Sequence, residues 1–62
     1  MKGLIKLRKQ ANLTQCELAE QLGVRQSTIA MWESGDSMPT ADKLPRIAKI
    51  LHCKIDDLFK EA

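Results

Sequence analysis

Apolar residues recur along the chain at intervals of three and four, the spacing of one face of an α-helix. They rarely alternate, so the pattern does not favour strands. Turn-forming residues divide the chain into five helical segments. We predict these helices at about Gly3–Ala11, Gln15–Leu22, Gln26–Ser34, from an N-cap at Thr40 to about Leu51, and at Ile55 to about Lys60. The expected fold is all-α, in a single domain over residues 1–62.

The boundaries of the second helix carry the clearest local signals. Thr14 followed three residues later by Glu17 forms a capping box, which marks a helix start. Asn12 before it suits the left-handed conformation that closes the first helix. Gly23 supplies a positive φ at the end of the second helix at little energetic cost.

Only a short turn separates the second predicted helix from the third, so the two helices must cross steeply. Ala19 gives the small side chain needed where they touch, and Val24 is placed to fill the turn. Ile29 and Trp32, three residues apart, are expected to hold the third helix against the core. This arrangement predicts a helix-turn-helix from about Gln15 to Ser34.

The other face of the third helix is polar or small and carries no charge in its middle. Its members are Gln26, Ser27, Ala30, Met31 and Ser34. Small and amide side chains allow a helix to enter the major groove of DNA closely. A glutamine can donate to and accept from adenine, and a methionine can contact a thymine methyl. Arg25 at the helix start can reach a phosphate or a guanine edge.

These residues together resemble the Cro and phage-repressor type of helix-turn-helix regulator, the XRE family. The resemblance covers about Leu4 to Phe59 and implies a compact five-helix bundle of the lambda-repressor-like type. It is carried by the motif Thr14-Gln15-x-Glu17-Leu18-Ala19-Glu20-x-Leu22-Gly23-Val24, then Ser27-Thr28-Ile29-x-x-Trp32-Glu33-x-Gly35, then Pro39.

The resemblance also implies roles for individual residues. Gln15 would bind a phosphate through its backbone N–H and steady Gln26. The residues facing base edges would be Gln26, Ser27 and Met31, and those near the sugar-phosphate backbone would be Thr14, Gln15, Arg25 and Ser34. Arg8 would form a structural ion pair with Glu33.

The chain departs from the family pattern at four places. Asp36 and Ser37 follow Gly35, where family members often carry basic residues. Met31 occupies a position where a polar or basic side chain is frequent. His52 replaces a common glycine, and Pro45 is unusual within the fourth helix.

Composition excludes several classes of function. The 62 residues leave no room for a second domain or for a deep enzyme cleft beside a core. There is no apolar stretch long enough for a membrane span or a signal peptide, so we expect a cytoplasmic protein. Cys16 and Cys53 are expected to be free thiols, and no residue set suggests a metal, a cofactor, an effector pocket or catalysis. The net charge of +2 permits a nucleic-acid partner without requiring one.

The sequence thus predicts a sequence-specific regulator of transcription that binds double-stranded DNA, most simply a repressor that occupies a pseudo-palindromic operator as two copies. A weak homodimer, formed in solution or on DNA, could use Ile55 and Phe59, with Ile5 beside them. The alternative for Ile55 and Phe59 is that they only close the core. The alternative function is an antitoxin-like or adaptor module that binds a protein.

Overall fold

The computed structural model describes residues 1–60, which contain four α-helices and one 3₁₀ helix and no strand. The helices are α1 (Lys2–Gln10), α2 (Gln15–Leu22), α3 (Gln26–Ser34) and α4 (Lys43–Ile50), followed by the 3₁₀ helix at Ile55–Phe59. The all-α prediction is confirmed, but the expected count of five α-helices is wrong, because the last segment forms only a short 3₁₀ helix. No helix among these residues is long and apolar enough to cross a membrane.

The start of α4 differs from the prediction. We expected Thr40 to be the N-cap, whereas the helix begins at Lys43 and Asp42 is its N-cap. Thr40 instead begins the turn that leads into the helix, in which its carbonyl accepts from the Lys43 N–H at 3.0 Å. Pro45 explains the late start, because a proline has no N–H and is tolerated only in the first turn of a helix, where N–H groups have no intrahelical partner.

The helix-turn-helix forms at the predicted bounds because its local signals act together. The Thr14 hydroxyl accepts from the Glu17 N–H, and the Glu17 carboxylate accepts from the Thr14 N–H, which completes the capping box. Gly23 has a φ of 72°, and the next N–H, that of Val24, donates to the Ala19 carbonyl at 3.0 Å. These bonds satisfy the helix ends and fix the turn.

Each of the five helices contributes one fully buried side chain to a single core. These residues are Leu4, Leu18, Ile29, Ile47 and Leu58. Trp32 is also buried, as predicted, with 3% of its surface exposed. Helix α3 packs against α1 and α2, and the 3₁₀ helix packs against α1 and α4. The core therefore holds α3 by one face and leaves its opposite face to solvent.

The 3₁₀ helix crosses the start of α1 at very short range. A Cβ atom at Gly3 would overlap the Asp57 carbonyl oxygen and would lie 3.0 Å from the Leu58 carbonyl. The Asp57 carboxylate in turn accepts from the Lys54 N–H at 3.1 Å. This bond, assisted by Lys60, holds the pKa of Asp57 below its ordinary value. Nothing in the sequence indicates that Gly3 lies at a close approach between two backbones.

Candidate nucleic-acid interface

The exposed face of α3 is the one predicted from the helical wheel. Gln26, Ser27, Met31 and Ser34 are exposed and Ala30 is half-buried. Met31 exposes 41% of its surface. Ile29 and Trp32 lie on the buried side. The face thus presents an amide, hydroxyls and a flexible apolar side chain with no charged group among them.

A chain of side-chain hydrogen bonds connects this face to the interior. Arg8 Nε lies 2.6 Å from Glu33 Oε2, and both side chains are nearly buried. Glu33 Oε1 accepts from Gln15 Nε2 at 2.8 Å. Gln15 Oε1 then accepts from Gln26 Nε2 at 2.7 Å. The structure therefore brings four of the predicted site residues into one network spanning α1, α2 and α3.

Arg8 also joins α1 to the segment that leads into α2. Its Nη1 donates to the Leu13 carbonyl at 2.8 Å, and Nη2 reaches Glu33 Oε1 at 3.5 Å. A guanidinium has donors in a fixed planar array, so it can bind a carboxylate and a carbonyl at once. Arg8 thereby sets the position of α2 relative to α3.

An open cleft of about 510 Å³ lies beside this network, between the end of α1 and the start of α2. Its lining residues are Arg8, Lys9, Asn12, Leu13, Thr14, Gln15, Cys16 and Gln26. Lys9 and Asn12 were not among the predicted site residues. Lys9 looked like an ordinary charge on the outer face of α1, and only the packing of α1 against the rest of the fold shows that it borders the cleft.

The first N–H groups of both helices are free at the same surface. Within residues 1–60, the backbone N–H groups of Gln15 and Cys16 have no acceptor, and neither do those of Gln26 and Ser27. A helix N-terminus carries a partial positive charge, and free N–H groups there bind anions readily. The free N–H groups at each helix start are therefore able to donate to a phosphate oxygen or to an acceptor on a base edge.

The remaining side chains predicted to lie near the sugar-phosphate backbone differ in the hydrogen-bond donors that they have free. Arg25, the N-cap of α3, is exposed and makes no side-chain bond to the helix. The Thr14 hydroxyl accepts from Glu17 and keeps its own proton to donate. The Ser34 hydroxyl already donates to the Met31 carbonyl at 3.1 Å, so it would have to break that bond to donate to a phosphate.

Large apolar side chains are also exposed outside α3, among them Met38 in the following loop, with 55% of its surface exposed. Ile5 on α1 exposes 37% of its surface, and on the 3₁₀ helix Ile55 and Phe59 expose 38% and 41%. Of the three apolar residues of the 3₁₀ helix, Ile55, Leu58 and Phe59, only Leu58 is fully buried.

Comparisons with known proteins agree with this geometry. A helix-turn-helix family model matches residues 4–58. The chain is 46% identical over 56 residues to the transcriptional activator BcrR of Enterococcus faecalis, covering 90% of this chain and 28% of that protein. It is 37% identical over 51 residues to the cryptic phage CTXphi transcriptional repressor RstR of Vibrio cholerae, covering 82% of this chain and 46% of the repressor.

A further relative carries a different kind of name. The antitoxin HigA1 of Mycobacterium tuberculosis is 40% identical over 52 residues, which cover 84% of this chain and 35% of the antitoxin. The chain thus spans less than half of each of these three relatives. No solved structure gives a significant match. The family match extends over nearly all of the described residues, and the chain belongs to the Cro/C1-type (XRE) helix-turn-helix family of transcriptional regulators.

Proposed function

We propose that the chain binds a specific sequence of double-stranded DNA with α3 in the major groove, and that it represses transcription by occupying an operator. The observation that carries the proposal is the amide of Gln26, which lies exposed at the start of α3 and is held by Gln15. In a helix-turn-helix, the N-terminal residues of the second helix of the motif, here α3, contact base edges. A fixed amide at that position is suited to a bidentate contact with adenine.

The proposed contacts divide into those that select bases and those that hold the backbone. Gln26, Ser27 and Met31 face base edges, and the Met31 side chain suits the methyl group of thymine. The free N–H of Gln15, the Thr14 hydroxyl and Arg25 face phosphates. Ser34 is the weakest member of this second set, because its proton is already donated within α3.

The charge distribution supports a modest electrostatic contribution. Residues 1–34 carry five Lys and Arg against three acidic residues, whereas residues 35–62 carry five of each. The excess positive charge therefore lies in the half that contains the helix-turn-helix. Asp36, exposed just after α3, opposes phosphate binding at that end. Specific base contacts must then supply a large share of the affinity for the operator.

The test is selection from a random duplex library, followed by anisotropy titrations of the selected site and a scrambled duplex at two salt concentrations. We expect the wild type to prefer its site by on the order of 10³-fold or more. Gln26→Ala should reduce that preference by roughly tenfold with little change in salt dependence. Arg25→Ala should lower the affinity for both duplexes, and it should reduce the slope of log affinity against log salt concentration by about 1.

Gln21→Ala is the matched control, because Gln21 is an exposed glutamine of α2 outside the network. It should leave affinity, preference and salt slope unchanged. If no sequence is enriched, and the affinity depends on the salt concentration but not on the sequence of the duplex, then the protein binds DNA only through general electrostatics. That result would contradict the proposed function.

We further propose that two copies bind the operator, associating through Ile5, Ile55 and Phe59. A stable protein interface buries about 800 Å² per partner, more than three partly exposed side chains provide. The dimer should therefore be weak in solution and form mainly on DNA, where both copies are held close together. Phe59→Ser should then abolish cooperative binding to a two-half-site duplex while leaving half-site affinity unchanged. Equal cooperativity in the variant and the wild type would exclude this surface.

A second function is favoured by one comparison and one surface. The similarity to an antitoxin and the exposed apolar side chains both fit a module that binds a protein partner. Retention of a partner protein by a Gln26→Ala, Ser27→Ala double variant that no longer binds DNA would favour this alternative.

Transcription in vitro distinguishes repression from activation. In this assay the selected site is placed either across a promoter or upstream of it, and the amount of transcript is measured with and without the protein.

A further inference from the structure

The hydrogen-bond network around Glu33 has a direction that is fixed by chemistry. Glu33 is paired with Arg8, and an ionised carboxylate can accept hydrogen bonds but cannot donate them. The group of Gln15 that faces Glu33 Oε1 at 2.8 Å must therefore be its NH₂. An isolated glutamine amide can exchange its oxygen and nitrogen by rotation, but here the carboxylate permits only one orientation.

The orientation of the Gln15 amide in turn determines the orientation of the Gln26 amide. Because the Gln15 amide nitrogen points to Glu33, its Oε1 points to Gln26 at 2.7 Å and offers only an acceptor. Gln26 must therefore donate to this oxygen through its own NH₂. This bond uses one of its two N–H groups, and within residues 1–60 the other N–H and Oε1 have no partner.

The free atoms of Gln26 therefore form one donor beside one acceptor. In the major groove, adenine presents an acceptor at N7 and a donor at N6, whereas guanine presents two acceptors, N7 and O6. A donor and an acceptor together match adenine. With the amide reversed, the donor and the acceptor would exchange places and would no longer match the N7 acceptor and the N6 donor of adenine.

We propose that Glu33 determines the base specificity of this protein as a positioning residue: acting through Gln15, it fixes the orientation of the Gln26 amide and makes α3 select adenine over guanine. The inference rests on the proposed binding of DNA by α3. It assigns to Glu33, a nearly buried side chain that touches no DNA, an effect on which base is chosen. Arg8 donates to the Glu33 carboxylate from a distance of 2.6 Å, so Glu33 acts as an acceptor on this side as well.

Glu33→Gln tests the proposal because it keeps the shape of the side chain but allows the group at this position to donate as well as accept. The position to examine is the base pair at which Gln26→Ala loses preference. Wild type and variant are titrated on the selected site and on a duplex with A·T changed to G·C at that pair. We expect the adenine preference of the variant to fall by roughly tenfold, since one bidentate contact discriminates by about that factor.

Glu33→Gln also removes the charge partner of Arg8 and could impair folding, so a second variant is needed. Gln15→Met has a side chain of similar length that transmits no hydrogen bond, and it leaves the Arg8–Glu33 pair intact. It should show the same loss of adenine preference. Glu20→Gln, at an exposed carboxylate of α2, is the matched control and should keep the preference of the wild type. Buried Trp32 reports by fluorescence that each variant is folded.

The outcomes separate this inference from the proposed function. If the wild type selects a site and both variants bind the A·T and G·C duplexes with the wild-type ratio, the role of Glu33 is refuted while sequence-specific binding stands. An equal loss of affinity for both duplexes also refutes it, because a purely structural residue would act in that way. If the wild type selects no site, the proposed function fails first, and the inference fails with it.

Discussion

Replacing Gly3 by alanine is a change for which helix propensity and tertiary packing predict opposite signs. Gly3 is the second residue of α1, and in helix interiors alanine is favoured over glycine by about 1 kcal/mol. In the folded protein, however, the added Cβ would overlap the Asp57 carbonyl oxygen and would lie 3.0 Å from the Leu58 carbonyl. Both obstacles are backbone atoms, so no side-chain rotation can relieve the overlap.

The magnitude follows from the cost of overpacking a well-packed core, about 1–3 kcal/mol. Because the overlap involves two backbones, we expect a net loss of ~2 kcal/mol after the gain in propensity. A domain of this size has a total stability on the order of 3–9 kcal/mol, so the variant should still fold. Each kcal/mol shifts the melting temperature by about 4–8 °C, so a decrease of roughly 10 °C is expected.

Urea unfolding followed by the fluorescence of Trp32, the single tryptophan, measures the change directly. Gln10→Ala, at an exposed position of the same helix, is the control and should unfold close to the wild type. The slope of the free energy of unfolding against urea should stay constant in both variants. If Gly3→Ala unfolds at the same or a higher urea concentration than the wild type, then the 3₁₀ helix does not pack against α1 at this distance.

Three further substitutions test local features of the fold. His52 has a φ of 54°, so His52→Gly should raise the free energy of unfolding by up to ~1 kcal/mol; an unchanged urea midpoint would argue against strain there. Thr14→Ala removes the hydroxyl that accepts from Glu17 and should lower that free energy by ~1 kcal/mol, with Thr14→Ser as the control that keeps it. The pKa of Asp57 is lowered in the folded state by the hydrogen bond from Lys54, so its stabilising effect is present above the unfolded pKa and is lost as pH falls through the folded pKa. The difference in urea midpoint between wild type and Asp57→Asn should therefore shrink below about pH 4, and a constant difference from pH 6 to pH 2 would contradict this assignment.

The helix-turn-helix could be predicted from the sequence to the residue because its determinants are local. The capping box at Thr14, the positive φ at Gly23 and the apolar spacing of Ile29 and Trp32 each act within a few residues. The core followed from the same periodicity. The exposed residues of α3 are those that the same periodicity places opposite the core. Most residues of the candidate site could therefore be proposed from the sequence.

The features that were missed depend on contacts between segments distant in sequence. The last segment forms a 3₁₀ helix instead of the predicted α-helix, and the backbones of residues 57 and 58 cross α1 at Gly3. Helical periodicity does not reveal such a crossing. The bond between Gln15 and Glu33, which are 18 residues apart, was also absent from the prediction. The resemblance implied a contact of Gln15 with Gln26 and a pair of Glu33 with Arg8, but nothing in the sequence connected the two.

The Arg8–Glu33 pair is difficult to explain by stability alone. Its side chains are only 10% and 6% exposed, and removing charges from water costs about as much as their attraction returns. A pair of apolar residues of similar volume would hold α1 and α3 together equally well. An apolar pair could not, however, orient the Gln15 amide, because that requires an acceptor at the position of Glu33 Oε1. The orientation that we propose for Gln15 and Gln26 at the start of α3 therefore accounts for a buried ion pair at this position.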